Sequence, residues 1–274
     1  MRFRAIIQAR LSSSRLPRKV LEKIGSQTIL EHIAARLATL EGAGVETSFA
    51  LAENEPPELA DFLGNRGFSY STGAAYDVLK RYVDASADLS DHDFVIRLTG
   101  DNPFPDKDQL ARLVHYARSH SLDYGYTADL PLGMGAELIR VNALRSVWLR
   151  TEPGNAGAES VIKPHHREHV TVFIRENPHL YEIHPLRLDE TLSEEAAKDR
   201  VHGIRLTIDE AADLDVCRRV YLHFERLSNP LFGAVEVIQL AKNSPEMFAG
   251  NAAIVQKSAL SVDERAMNTA RRPE

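Results

Sequence analysis

Short apolar runs alternate with amphipathic stretches along most of the chain. Four apolar runs have the length of buried strands: residues 3–9 (FRAIIQA), 47–52 (TSFALA), 93–99 (DFVIRLT) and 203–208 (GIRLTI). Apolar residues recur at helical spacing in residues 28–40, 57–67, 77–86, 107–119 and 210–227. Strands that alternate with helices need crossover connections. The pattern therefore predicts an α/β domain with a mostly parallel central sheet flanked by helices.

Residues 123–200 are less regular than the rest. The stretch 123–141 (DYGYTADLPLGMGAELIRV) predicts a hairpin or lobe inserted over the sheet, and the polar insertion 151–165 fits a loop or a lid. The pattern fades toward the C-terminus, where the polar end SVDERAMNTARRPE is expected to fray. We predict one domain over residues 1–250, with 123–200 as a lid or dimerisation lobe within it, and a polar tail over 251–274.

The composition narrows the class of protein. The 274 residues are 43% apolar and 26% charged, as in ordinary globular domains, and the formal net charge is −6. This acid excess argues against general nucleic-acid binding, which needs a broad basic face. The single cysteine, Cys217, excludes an internal disulfide and is typical of a reducing compartment. The sequence has neither a signal-peptide pattern nor an apolar stretch of roughly 18 residues, so we expect a cytoplasmic protein that does not insert into membranes.

The loop after the first predicted strand is strongly basic. Residues 9–19 (ARLSSSRLPRK) place four cations, Arg10, Arg15, Arg18 and Lys19, among three serines. Guanidinium groups match phosphate oxygens, lysine adds a compact charge, and serines allow close backbone approach. Ligands of open parallel sheets bind beyond the carboxyl ends of the strands. The loop is thus either a phosphate site without Walker-type glycines or a solvated basic turn.

Two aspartates follow predicted strands. Asp101 comes after Gly100, at the end of the run VIRLT, and Asp209 ends the run IRLTI. A strand-end carboxylate suits Mg²⁺ beside a phosphate, and the glycine allows close approach. Asp209 could equally be the N-cap of the helix that follows. Together with the basic loop, the two carboxylates predict a metal–phosphate site that neutralises a triphosphate.

Several stretches, in this order, resemble the cytidylyltransferase family that includes the spore-coat polysaccharide proteins. They are IIQARLSSSRLPRKVLEKIGSQTILEHIAARL, YSTGAAYDVLKRY, VIRLTGDNPFPD, PLGMGAELI, HREHVTVFI and IRLTIDEAADL. The chain is more distantly similar to CMP-N-acetylneuraminate and CMP-3-deoxy-manno-octulosonate synthetases. The resemblance covers roughly residues 3–225.

The resemblance implies a glycosyltransferase-A-like nucleotidyltransferase fold and a reaction of two substrates. A hydroxyl of a sugar or sugar acid would attack the α-phosphate of CTP with Mg²⁺ as cofactor, and pyrophosphate would leave. The product would serve surface polysaccharide or glycan synthesis. The resemblance also suggests a homodimer formed through residues 123–200. It points to cytosine as the base, read near Ser71–Asp77 and by the backbone around Ala9.

The same resemblance assigns roles to individual residues. The catalytic residues would be Arg10, Lys19 and Asp101, and the metal ligands Asp101 and Asp209. The acceptor sugar would contact Glu137, Arg167 and His169. The nucleotide would contact Ala9, Arg10, Ser12, Arg18, Lys19, Ser71, Asp77 and Arg81.

One position departs from the family pattern. The stretch GMGAE has Gly135 where family members usually carry an acidic residue, although Glu137 is retained. The missing carboxylate is a plausible partner for a substrate hydroxyl. The identity of the acceptor sugar therefore stays open.

The sequence leaves three alternatives. His165 and His169 in HHREH stand four apart on a predicted helix and could bind zinc, although the H-E-x-x-H order is absent. The resemblance also places Glu168 beside Arg167 and His169 near the acceptor, but these residues could serve structure instead, with Glu168 pairing with Arg167 or capping. The same fold could also belong to a glycosyltransferase that uses a nucleotide-sugar, or to a non-catalytic sugar- or nucleotide-binding protein.

Overall fold

Nine strands and ten α-helices are formed by the residues that the computed structural model describes, which are 1–13, 15–152, 163 and 165–254. The strands are β1 (Phe3–Ala9), β2 (Lys23–Ile24), β3 (Gln27–Thr28), β4 (Val45–Ala52), β5 (Tyr70–Gly73), β6 (Phe94–Thr99), β7 (Tyr124–Ala128), β8 (Glu137–Arg140) and β9 (Ile183–Arg187). The helices are α1 (Ile29–Ala38), α2 (Pro57–Asn65), α3 (Val78–Ala85), α4 (Lys107–Ser119), α5 (Val141–Arg150), α6 (His165–Glu168), α7 (Val172–Glu176), α8 (Glu194–Val201), α9 (Ala211–Arg226) and α10 (Ala234–Asn243).

The central sheet has the order β5-β4-β1-β6-β8-β7-β9. Its pairs β5–β4, β4–β1, β1–β6 and β7–β9 are parallel, and β8 runs antiparallel to both of its neighbours. The prediction of a mostly parallel sheet is confirmed. The carboxyl ends of β1 and β6 lie side by side, so the basic loop and Asp101 emerge at the same edge of the sheet.

Buried side chains cover both faces of this sheet. In β1, Phe3, Ala5 and Ile7 face one apolar cluster, which is completed by α1, α2, α4, α9 and α10. Ile6 faces a second cluster, which is completed by α3, α5 and α7. A strand buried on both faces reads as a continuous apolar run, which is why the sequence pattern located β1 and β6 within one or two residues.

The predicted strand over residues 203–208 is wrong. This segment is extended, but Arg205 forms only an isolated bridge with Leu132. The amide of Leu206 donates to Leu132 O (2.7 Å), and the amide of Ile208 donates to Asp101 O (2.9 Å). Its apolar side chains are buried like those of a strand, whereas its backbone bonds to two loops instead of a ladder. Asp209 is therefore not at a strand end.

The predicted hairpin over residues 123–141 exists, but it does not lie over the sheet. Its arms are β7 and β8, which are strands of the sheet itself, because β8 pairs with β6 on its other side. The predictions for the insertion 151–165 and the tail 251–274 fall mostly on 153–162, 164 and 255–274, which lie outside the described residues. In the described part of the chain, no helix combines the length and apolarity needed to cross a bilayer.

Candidate active site

Two adjoining cavities open at the carboxyl ends of β1 and β6. The β1 cavity has a volume of about 440 Å³, and its wall includes Gln8, Ala9, Arg10, Ser12, Glu55, Ala75, Tyr76, Arg81, Arg97, Glu168 and His169. The hairpin cavity has a volume of about 580 Å³, and its wall includes Arg97, Thr99, Asn102, Thr127, Asp129, Gly135, Glu137, His169, Thr171 and Arg175. Arg97 and His169 belong to both walls.

The basic loop forms one side of the β1 cavity. Its backbone is fixed because the amide of Leu11 donates to Glu55 Oε2 (2.8 Å) and the amide of Arg18 donates to Leu11 O (2.9 Å). Arg10 is an exposed residue of the wall, whereas Arg81 is a buried one. Burial lowers the pKa of Arg81 from its ordinary value, although the group remains a cation at neutral pH. Both arginines can therefore meet an anion that enters this cavity.

Lys19 joins the two aspartates that the sequence singled out. Its Nζ atom lies 3.0 Å from Asp101 Oδ2 and 3.3 Å from Asp209 Oδ1, and it donates to Ile208 O at 2.6 Å. The two carboxylates thus share one cation. This cluster borders the hairpin cavity next to Asn102 but does not line either cavity.

Asp209 has more cationic neighbours than Asp101. Arg15 lies 3.0 Å from Asp209 Oδ1, and Arg205 donates to Asp209 Oδ2 at 2.7 Å. Burial opposes ionisation of Asp209, but the charges of Lys19 and Arg15 lower its pKa below the ordinary value. Asp209 is therefore an anion that already holds several cations.

The backbone at Asp209 is held by the buried carboxylate of Asp213. Asp213 Oδ2 accepts from the amides of Asp209 (2.9 Å) and Glu210 (3.0 Å), and Asp213 Oδ1 accepts from Arg205 (2.8 Å). The N-cap of α9 is Glu210, so the alternative that Asp209 caps this helix is wrong. The Asp209 side chain instead contacts Arg15, Lys19 and Arg205.

Two glycines let loops approach the site closely. Gly133 has φ +94°, and a Cβ atom there would lie 2.5 Å from the amide nitrogen of Thr207. A side chain at this position would push the 131–133 loop away from the segment that ends at Asp209. Gly100, just before Asp101, is also tight, since a Cβ atom would lie 3.1 Å from Gln8 O.

Glu137 lies at the centre of a buried polar network in the hairpin cavity. Its Oε2 atom accepts from Arg97 at 2.5 Å. Its Oε1 atom accepts from Tyr124 (2.5 Å), Thr171 (2.9 Å) and Arg175 (2.5 Å). Burial opposes ionisation, yet Arg97 and Arg175 lower the pKa of Glu137 to about 2. Glu137 is therefore an anion whose hydrogen-bonding capacity is taken up by the protein.

Besides the cluster of Lys19, Asp101 and Asp209, four further predicted site residues line neither cavity: Arg18, Ser71, Asp77 and Arg167. Ser71 lies in the edge strand β5. Asp77 caps α3 through Lys80 N (2.8 Å), and its other oxygen accepts from Arg167 Nε (2.8 Å). Arg18 forms an ion pair with Glu58 on α2. Arg167 thus links α6 to α3 through Asp77, whereas the structural alternative named Glu168 as its partner.

The histidine alternative involves a different set of side chains. Donor atoms of His165, His166 and Glu176 lie within 4.8 Å of one another among the described residues. However, His166 Nδ1 accepts from the amide of Lys163 (3.1 Å), and its Nε2 lies 2.9 Å from Glu176 Oε2. A neutral ring satisfies both bonds, and burial lowers the pKa of His166. A metal-bound Nε2 needs a ring that donates through Nδ1, so this cluster fits a hydrogen-bond network better than zinc.

Sequence reasoning missed Arg97 and Arg175. Arg97 interrupts the apolar run of β6, and a cation inside a buried strand was a usable signal. Arg175 lies on the short helix α7, where nothing in the local pattern marks it.

Buried polar atoms without a hydrogen-bond partner among the described residues include Gln8 Oε1, Arg81 Nε, Arg97 Nε and Asn102 Oδ1. All four residues line the two cavities, so polar groups are available there for a ligand.

Comparison with known proteins agrees with the resemblance. The sequence model of the family described as cytidylyltransferase matches residues 4–235. An uncharacterised protein of Methanocaldococcus jannaschii is 32% identical, over 96% of this chain and 100% of its own length. The spore coat polysaccharide biosynthesis protein SpsF of Bacillus subtilis is 29% identical, over 88% of this chain and 94% of its own.

Solved structures show the same fold. A cytidylyltransferase from Leptospira borgpetersenii superposes with a TM-score of 0.72 at 22% identity, over 94% of this chain and all of the other. A CMP:2-keto-3-deoxy-manno-octonic acid synthetase complexed with CTP gives a TM-score of 0.59 at 16% identity, over 81% of this chain and 99% of the other. The predicted nucleotidyltransferase fold is confirmed.

Proposed function

The chain belongs to the cytidylyltransferase family, and we propose that it transfers CMP from CTP to a hydroxyl of a sugar or sugar acid. The hydroxyl oxygen forms a bond to the α-phosphorus, and the bond from this phosphorus to the oxygen that bridges to the β-phosphorus breaks. Pyrophosphate leaves with that electron pair, and the hydroxyl proton passes to water. The product is a CMP-sugar, which surface polysaccharide or glycan synthesis would use, as the name of the Bacillus subtilis relative suggests.

The observation that carries this proposal is the pair of cavities that meet at Arg97 and His169. A two-substrate transfer needs one pocket for each substrate and a shared wall where the reacting atoms meet. The β1 cavity, with Arg10 and Arg81, suits the nucleotide. The hairpin cavity suits the acceptor.

The acceptor cavity favours an anionic sugar. Arg97 and Arg175 both contact Glu137, and one carboxylate leaves one positive charge of the pair uncompensated. The other carboxylate of the wall, Asp129, is paired with Arg187 at 2.6 Å. A carboxylate of a sugar acid would balance this excess and could bind an arginine in bidentate fashion.

Mg²⁺ is part of the proposal, with Asp101 and Asp209 as its ligands. Both carboxylates contact the Lys19 ammonium, at 3.0 Å and 3.3 Å, and carboxylate oxygens are the ligands that Mg²⁺ prefers. When bound, the metal would neutralise phosphate charge. Lys19 would then be free to donate to a phosphate oxygen of the nucleotide, as would Arg10 and the amide and hydroxyl of Ser12.

Nucleotide binding and product analysis test the function together. Thermal shifts with CTP, UTP, GTP and ATP, each with Mg²⁺, should show the largest stabilisation for CTP. Cytosine presents an amino donor where uracil has a carbonyl, and an unmatched buried polar pair costs about 1–3 kcal/mol, so we expect CTP to be preferred roughly 10- to 100-fold over UTP. Pyrophosphate release that depends on both CTP and a sugar acid supports the proposal. Release of a free nucleotide from a nucleotide-sugar would instead indicate glycosyl transfer.

A further inference from the structure

Arg97 occupies the shared wall of the two cavities. It lies in β6, directly opposite Glu137 of the antiparallel strand β8. Its guanidinium donates to Glu137 Oε2 at 2.5 Å, and only 18% of its side chain is exposed. The residue therefore projects from the middle of the sheet, from a strand that is fixed on both sides by hydrogen-bonded neighbours.

Glu137 holds Arg97 without using up its donors. A guanidinium has five N–H groups, and the Nε group of Arg97 is buried with no hydrogen-bond partner among the described residues. An unpaired buried donor destabilises the protein, and a bound anion would supply the missing acceptor. Burial opposes the charge, but Glu137 raises the pKa of Arg97, so the group stays cationic. A rigid, partly desolvated cation thus faces both cavities.

We propose that Arg97 binds the α-phosphate of the nucleotide and that Glu137 positions Arg97 rather than binding the acceptor. The inference rests on the proposed function. The α-phosphorus is the atom at which the two substrates are joined, so its oxygens must lie where the two cavities meet. Arg97 is the arginine that lines both walls, whereas Arg81 lines only the β1 cavity and Arg175 only the hairpin cavity. A donor in this position stabilises the charge that grows on the phosphorus oxygens during transfer.

CMP and cytidine provide a test that needs no acceptor. CMP carries only the α-phosphate, so the ratio of its affinity to that of cytidine measures the contacts made to this group. Both Kd values are measured by calorimetry for the wild type, Arg97→Met and Arg97→Lys. Arg175→Met is the matched control, because Arg175 contacts the same carboxylate but lines only the hairpin cavity.

Arg97→Met should raise the Kd for CMP roughly 10- to 100-fold and leave the Kd for cytidine unchanged, in line with the loss of a charge-assisted hydrogen bond. Arg97→Lys keeps the charge and the cross-strand pair, so it should lose less affinity, and it serves if Arg97→Met does not fold. Glu137→Gln should weaken CMP several-fold by freeing Arg97, again without affecting cytidine. Arg175→Met should leave the ratio of the two affinities as it is.

Two outcomes overturn the inference. If both Arg97 variants bind CMP as tightly as the wild type, or lose CMP and cytidine equally, Arg97 does not hold the α-phosphate. If Arg175→Met lowers the ratio as much as Arg97→Met, the effect comes from the shared network rather than from a contact with the phosphate. Failure of the proposed function gives a different result, in which the wild type itself binds neither CTP nor CMP.

Discussion

Lys19 Nζ lies 3.0 Å from Asp101 Oδ2, which links the loop after β1 to the end of β6 by an ion pair. The side chain of Lys19 is only 9% exposed, whereas that of Asp101 is 29% exposed. The lysine is thus the enclosed member of the pair and the aspartate is the open one. Substitutions at the two positions are therefore expected to have different consequences.

Asp101→Asn should abolish most turnover and leave the fold intact. Lys19 keeps Ile208 O and Asp209 as acceptors, and the amide oxygen can still accept from it. Losing a charged group that acts in the transition state costs on the order of 10²-fold or more in rate. Pyrophosphate release gives the rate, and a thermal melt checks the fold. Near wild-type turnover would show that Asp101 is not a metal ligand.

Arg10→Ala and Lys19→Ala should both raise the KM for CTP and lower kcat, because phosphate contacts tighten as pyrophosphate departs. Only Lys19→Ala should also lower the melting temperature, since it leaves Asp101 and Asp209 facing each other without their shared cation. Arg10 is exposed, so Arg10→Ala should change the stability of the protein little. The KM for the acceptor should not change. An equal rise in that KM would place the acceptor, not CTP, at the basic loop.

Gly135→Asp tests the departure from the family pattern. Gly135 lines the hairpin cavity, and a Cβ atom there would lie 3.4 Å from Thr127 Oγ1, an ordinary contact, so the variant should fold. The new carboxylate adds negative charge to the cavity, and the KM for a sugar acid should rise roughly tenfold, which corresponds to about 1.4 kcal/mol. The KM for CTP should stay as it is. Gly135→Asn adds similar bulk without charge and is the control. If Gly135→Asn raised the KM for the sugar acid equally, the bulk of the new side chain rather than its charge would be excluding the substrate.

The Glu137 network should make stability fall in acid. The pKa of Glu137 drops from its ordinary value of 4.5 to about 2 on folding, so its ionised form is stabilised by the native state. That stabilisation is complete above pH 4.5 and is lost as the pH falls from 4.5 toward 2. Urea unfolding across this range should show a shallower decline for Glu137→Gln than for the wild type. The same slope for both proteins would contradict the assignment.

The predicted homodimer through residues 123–200 can be checked by size. β9 lies at one edge of the sheet, and an unpaired strand edge invites pairing with a second chain. We expect gel filtration at micromolar concentration to give twice the chain mass of 30.6 kDa. A monomer under these conditions would count against the dimer. Leu222→Glu, at an exposed position of α9 outside residues 123–200, is the control and should leave the elution volume unchanged.

Periodicity located the elements whose apolar side chains are buried on a regular face. β1, β6, α1, α4 and α9 all meet this condition, and each lies within a few residues of its predicted range. β5 escaped because its residues, YSTG, are half-buried or exposed at the edge of the sheet. The segment 203–208 has the sequence pattern of a strand because burial alone produces that pattern. Its backbone hydrogen bonds to Leu132 and Asp101 join residues far apart in the chain, so local sequence does not reveal them.

The candidate site divides in a similar way. Arg10, Lys19 and Asp101 follow strands directly, so the topology of a parallel sheet was enough to bring them to one edge. Arg97 and Glu137 depend on the register of β6 against β8, which places them opposite each other across 40 residues of chain. That register follows from tertiary pairing, so Glu137 was found only through a resemblance, and the cation within the apolar run of β6 did not by itself identify Arg97 as its partner.

Gly133 allows the loop 131–133 to connect the hairpin cavity with the segment that ends at Asp209. The 131–133 loop that it shapes lines the hairpin cavity, and its carbonyl and amide at Leu132 bond to the segment that ends at Asp209. A displacement of this loop would reach the carboxylate cluster around Lys19 through these backbone hydrogen bonds. Any coupling along this connection is reciprocal, so an occupant of the hairpin cavity and an occupant of the cluster would change each other's affinity by the same factor.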